Sequence, residues 1–138
     1  MSYDLMVFDV QAAPTNLPAF MEWYEKQTEW SEDHGYDDPS VSTAALREWF
    51  LEMIQEFPAM NGPHASDDVD DPKLTSYSVG RSAVYAAFAW SQTEAAYRAM
   101  TSLAQKHRLG FFDASGDGAV WVPVGDDYRQ MPTADGGG

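Results

Sequence analysis

Residues Tyr3 to Val10 read Y-D-L-M-V-F-D-V, which in an extended chain sets Tyr3, Leu5 and Val7 on one side and Met6, Phe8 and Val10 on the other. A strand apolar on both sides is usually central in its sheet. The chain can support one such sheet: 138 residues make a single domain, and a hydrophobic share of 44% supplies a buried core, which excludes a disordered acidic tail and a metal-stapled miniprotein. With no cysteine, disulfides, thiolate metal sites and a cysteine nucleophile are excluded as well.

After the break at Ala12 to Asn16, the residues Leu17, Phe20, Met21, Tyr24 and Thr28 recur at helical spacing. Thr15 or Asn16 is placed as N-cap, and Pro18 falls in the first turn, where proline is tolerated. Residues 31–40 form a polar loop. Leu46, Trp49, Phe50, Met53 and Phe57 then make the stripe of a second helix, which stops before Pro58. The stretch 59–73, with Asp67-Asp68-Val69-Asp70-Asp71, reads as an ordered but exposed loop. Strands at 75–79 and 83–90 flank Gly80-Arg81-Ser82, and Ser91-Gln92-Thr93-Glu94 has the form of a capping box. The helix that follows carries Ala96, Met100, Leu103, Ala104 and His107 on one face, with Gly110 as a left-handed stop. Strands at 111–114 and 119–122 bracket a second turn.

The order β-α-α-β-β-α-β-β predicts a single α+β domain over 1–125, an antiparallel sheet with helices packed on one face, followed by a loose C-terminal tail over 126–138. Treating the second helix as an insertion makes the first six elements ferredoxin-like.

Charge is unevenly spread. Residues 29–72 hold twelve acidic side chains and Arg47 alone among bases, a balance of −11, whereas residues 73–110 hold five bases and Glu94, a balance of +4. The whole chain stands at −14, which disfavours bare nucleic acid as a partner. A concentrated negative face speeds encounter with a basic partner and can mimic phosphates. Trp30 and Tyr36 in or beside the polar loop, and Trp23 off the first helix stripe, give the acidic segment the composition of an interface hot spot, whereas Trp49 reads as core. The partner-binding residues read from this pattern are Trp30, Tyr36 and Asp37 as contact core, Glu32, Asp33 and Asp38 as rim, and Asp67, Asp68, Asp70 and Asp71 as the source of the field.

No metal or cofactor site is expected. Asp113, Ser115, Asp117 and Gly118 fit the start of a calcium loop, but Val124 stands where its bidentate Glu belongs. His34 and His64 lie among aspartates without a ligand spacing of known geometry. There is no nucleophile elbow, P-loop or dinucleotide fingerprint, so catalysis is not expected either. The start of the chain has no basic n-region, and no apolar run approaches the roughly 18 residues of a membrane span, which points to the cytoplasm without membrane association.

Ser2-Tyr3-Asp4-Leu5-Met6-Val7-Phe8, Ala87-Phe88-Ala89-Trp90-Ser91 and Leu109-Gly110-Phe111-Phe112-Asp113 together resemble an uncharacterised family of small acidic bacterial cytosolic proteins, and such families resemble the immunity proteins of polymorphic and type VI secretion toxins. That resemblance implies an antitoxin that binds a cognate toxin and occludes its active site. It carries no functional-residue motif. A monomer or weak homodimer is expected, since the hairpins and an open sheet edge invite self-association. The rival expectation is a small-molecule-binding regulator or cofactor-free enzyme that uses the open sheet face, with a pocket lined by Tyr77, Tyr85 and Trp121.

Overall fold

A computed structural model describes residues 3–29, 36, 38–60, 62–68, 70–116, 118–125 and 127–131. Its elements are β1 (Tyr3–Phe8), α1 (Leu17–Gln27), α2 (Ala44–Glu56), β2 (Ser76–Val79), β3 (Ala83–Phe88), α3 (Thr93–Lys106), β4 (Gly110–Phe112), β5 (Val120–Val124) and β6 (Asp127–Gln130), with short 3-10 helices at Pro39–Val41 and Trp90–Gln92. The strands form one six-stranded sheet in the order β2-β3-β1-β4-β5-β6, and every pairing is antiparallel. β1 is inside it, as its two apolar sides require.

Those two sides also decide where the helices go. Leu5 and Val7 join Leu46, Trp49, Phe50 and Met53 of α2 and Met100 and Ala104 of α3 in one buried cluster. Met6 and Phe8 face the other way and pack with Phe20 of α1, Phe112 and Val120. The expectation of helices on one face is therefore corrected: α1 covers the opposite face from α2 and α3, because Met6 and Phe8 would otherwise meet water. Trp23 belongs to this second core, with its ring 5.8 Å from Phe8 and 5.6 Å from Phe20, so its displacement from the main stripe widens a buried face.

The start of α1 is as expected, with Asn16 Oδ1 accepting from the Ala19 N–H at 3.0 Å. The capping box is not formed. The 3-10 helix Trp90–Gln92 runs directly into α3, and Gln92 takes the N-cap position without a side-chain cap bond. At the other end of α3, the left-handed residue is Arg108 (φ 56°) and not Gly110. Leu109 N–H donates to Ala104 O at 2.8 Å and Arg108 N–H to Gln105 O at 3.2 Å, a Schellman ending with Leu109 buried. Of the chain expected as a loose tail over 126–138, Asp127–Gln130 forms β6, while 126 and 132–138 lie outside the described residues. The Tyr128 hydroxyl of β6 donates to Leu109 O, and beyond the strand Met131, 4% exposed, donates its N–H to Val120 O at 2.7 Å. Among the described residues, no helix is long and apolar enough to cross a membrane.

Candidate binding surface

Of the ten residues read as partner-binding, Trp30, Glu32, Asp33 and Asp37 lie outside the described residues. The other six fall on two segments beside the edge strand β2. Val79 N–H of β2 donates to Tyr36 O at 2.8 Å, which lays the first segment along that edge. Asp38 then caps the 3-10 helix Pro39–Val41, its Oδ1 accepting from Ser40 N–H at 2.9 Å. The Ser40 backbone N–H and hydroxyl hold the Asp38 carboxyl below the ordinary carboxylate range, and His64 acts in the same direction.

His64 belongs to the second segment, residues 57–75, and its ring meets Phe50 of α2 edge-on at 6.0 Å. That loop is pinned by backbone bonds: Ser66 N–H to Ala59 O at 2.9 Å, Met60 N–H to Thr75 O at 3.0 Å and Thr75 N–H to Pro58 O at 2.9 Å. Its aspartates build the turns they occupy. Asp68 accepts from Asp70 N–H at 3.2 Å, and Asp71 from Lys73 N–H at 2.9 Å. Asp67, Asp68 and Asp70 are exposed and Asp71 is half-buried. The result is an ordered, outward-facing row of carboxylates.

The acids of α2 have a different fate. Glu52 pairs with Lys106 at 2.5 Å and with His107 at 2.6 Å, and Glu56 pairs with Lys73 at 3.6 Å. Basic residues from the positive half of the chain thus tie α2 to α3 and to the start of β2. The groove of about 750 Å³ between α2 and α3 is lined by Glu52, Glu56 and Lys73 together with Arg98. Among the described residues, no ion pair joins Asp67, Asp68 or Asp70 to a base, so the negative field is concentrated on the loop.

Tyr77, Tyr85 and Trp121 do not share a pocket. Tyr77 is buried under α2, 3% exposed, with its hydroxyl donating to Phe57 O at 2.7 Å. Trp121 packs at the margin of the same cluster, while Tyr85 points to the opposite face, because consecutive strand residues alternate. What does surround Tyr85 is a polar groove of about 300 Å³ walled by the end of α1, with Asp4, Ser76 and Ser78 on its floor. Sequence inspection missed this group, although one signal was present: Asp4 is a charged residue on a side of β1 that is otherwise apolar.

Asp113 serves a turn, its Oδ1 accepting from Gly116 N–H at 3.0 Å. Trp49 is fully buried, as its position on the stripe predicts, and its Nε1 has no hydrogen-bond partner. Among the described residues, no cluster of three or more His, Asp or Glu is placed to hold a metal ion. No protein-family model, curated protein or solved structure matches the chain.

Proposed function

We propose that this chain is an immunity-type inhibitor that docks its acidic loop surface on a basic cognate toxin and covers the toxin's active site. The observation that carries this reading is the outward presentation of Asp67, Asp68 and Asp70 on a loop whose ends are tied together between α2 and β2 by the bonds of Met60 and Thr75 and of Ser66 with Ala59. A rigid, single-signed surface raises the rate of encounter with an oppositely charged protein and costs little ordering on contact. The scaffold beneath it we read as ferredoxin-like. In support, β2-β3-β1-β4 alternate antiparallel with β1 inside, and α2 and α3 share one face, so that the inserted helix is α1 and not, as expected from the sequence, the second helix, and the β5–β6 hairpin is a further addition.

The test begins with capture from the native host at low salt, release of a stoichiometric basic protein at moderate salt, and its purification. Association of that protein with the chain and with a variant carrying Asp67, Asp68, Asp70 and Asp71 all changed to Asn is then timed. The variant is expected to associate at least about tenfold more slowly at low salt, with the difference fading as salt rises. Equal rates at low salt would remove the charged loop from the mechanism.

A further inference from the structure

Between α2 and α3 the charge left over is positive, on a chain that stands at −14 overall. The Glu52 carboxylate meets Lys106 at 2.5 Å and His107 at 2.6 Å, and Glu56 meets Lys73 at 3.6 Å. Each acid of the groove wall is already answered. Arg98 is not: among the described residues it enters no hydrogen bond or ion pair, and Glu94, one turn before it on α3, stands outside ion-pair distance.

Helix spacing sets what surrounds that guanidinium. Arg98 and Ser102 are four residues apart, so they share one face of α3 with about 5–6 Å between their Cβ atoms. Both are exposed. Ala95, Ala99 and Leu103 form the adjoining row, half-buried and packed against the larger core cluster. Two of these three are alanines, so the floor stays low between the helices and the groove reaches about 750 Å³, a volume within the range of small-molecule sites. Gln55 of α2 stands on the opposite wall, and among the described residues neither its amide nor the Ser102 hydroxyl has a hydrogen-bond partner.

An unpaired guanidinium, a hydroxyl one turn away and an apolar floor match an organic acid. A guanidinium holds a carboxylate through two parallel N–H···O bonds, the hydroxyl donates one more, and alkyl carbons leave water against the alanines and Leu103. We propose that this groove binds a small organic monocarboxylate, with its carboxylate at Arg98 and Ser102 and its hydrocarbon body over Ala95, Ala99 and Leu103. A monoanion is favoured over a more highly charged acid, because Glu52 and Glu56 stand across the groove and repel each added negative charge. The site uses none of the loop aspartates, so it holds or fails independently of the inhibitor reading.

The test is a titration of the full chain with sodium hexanoate, followed by amide NMR shifts at Gln55, Ala95, Arg98, Ala99 and Ser102, with hexanamide as the uncharged analogue. Saturable shifts with the acid and none with the amide are expected. Arg98→Gln should weaken binding at least about tenfold, the usual effect of losing a hydrogen bond to a charged group. Arg98 is exposed, so this variant keeps the core intact. Ala99→Leu raises the floor without touching the guanidinium and should abolish the shifts, and the Arg98 variant keeps the test decisive if the Ala99 variant packs poorly. Arg129→Gln, on the far edge strand, removes the same charge and should leave binding as it was, which separates a site from a change in net charge. The absence of saturable shifts with hexanoate, an equal response to acid and amide, or unchanged binding in Arg98→Gln overturns the proposal.

Discussion

The ring of Phe8 lies directly across the backbone of Gly110, its register partner on β4, so that a Cβ at position 110 would overlap the ring edge. Phe8 cannot easily give way. It is fully buried and sits 4.9 Å from the Phe20 ring and 5.8 Å from that of Trp23. Gly110→Ala should therefore cost about 1–3 kcal/mol through overpacking. Urea unfolding should show a lower midpoint with an unchanged slope, and Phe8→Leu in the same chain should restore part of the loss. A Gly110→Ala protein as stable as wild type would mean that the ring is not wedged there.

Arg108 offers the opposite change. It holds a left-handed conformation that costs an ordinary L-residue roughly 1–2 kcal/mol, against roughly 0.5–1 kcal/mol of extra backbone entropy that a glycine loses on folding. Its side chain is exposed, so little packing is at risk. Arg108→Gly should stabilise the protein by up to about 1 kcal/mol, read as a rise in Tm. A fall would mean that the guanidinium makes a contact worth more than the strain.

The link between α2 and α3 should depend on pH in a set direction. Hydrogen bonds from Lys106 first and His107 second hold the Glu52 carboxyl below its ordinary range. A depressed folded value contributes stability that is complete above the unfolded value, about 4.3 for Glu, and is lost as pH falls through the folded one. The Tm advantage of wild type over Glu52→Gln should thus shrink as pH drops from about 5 toward 3. An advantage that holds constant or grows over that window would show that Glu52 does not lose its partners by protonation there.

Much of the framework could be read before the structure, and the failures share a cause. Periodicity found β1, the stripes of α1 and α2 and both hairpins, because each is a local pattern repeated over several residues. It could not say which face α1 covers, since that depends on where Met6 and Phe8 end up in three dimensions. Gly110 was recognised as special for the wrong reason: a left-handed helix end and a close aromatic approach both ask for glycine, and the sequence does not distinguish them. The polar groove escaped notice because Asp4, Tyr24, Ser76 and Tyr85 come from four elements that only register brings together. The acidic loop, by contrast, is contiguous in sequence and was legible as charge.

β6 was missed for a related reason. Asp127–Gln130 has no apolar alternation, because of its four residues only Tyr128 is even half-buried. What anchors this strand lies just past it: Met131 packs in the second core at 4% exposure, among the cluster that holds Phe8 and Phe112. Met131→Ala should then cost about 2–5 kcal/mol, the range for a truncated core methionine, whereas a side chain on a loose tail would cost under about 0.5 kcal/mol. Hydrogen exchange at the Arg129 and Met131 amides should accelerate in the variant more than exchange at Leu5, since β6 is held at one edge and β1 by neighbours on both sides. If Met131→Ala leaves both the unfolding midpoint and these exchange rates unchanged, the chain beyond Gly125 is not part of the folded unit.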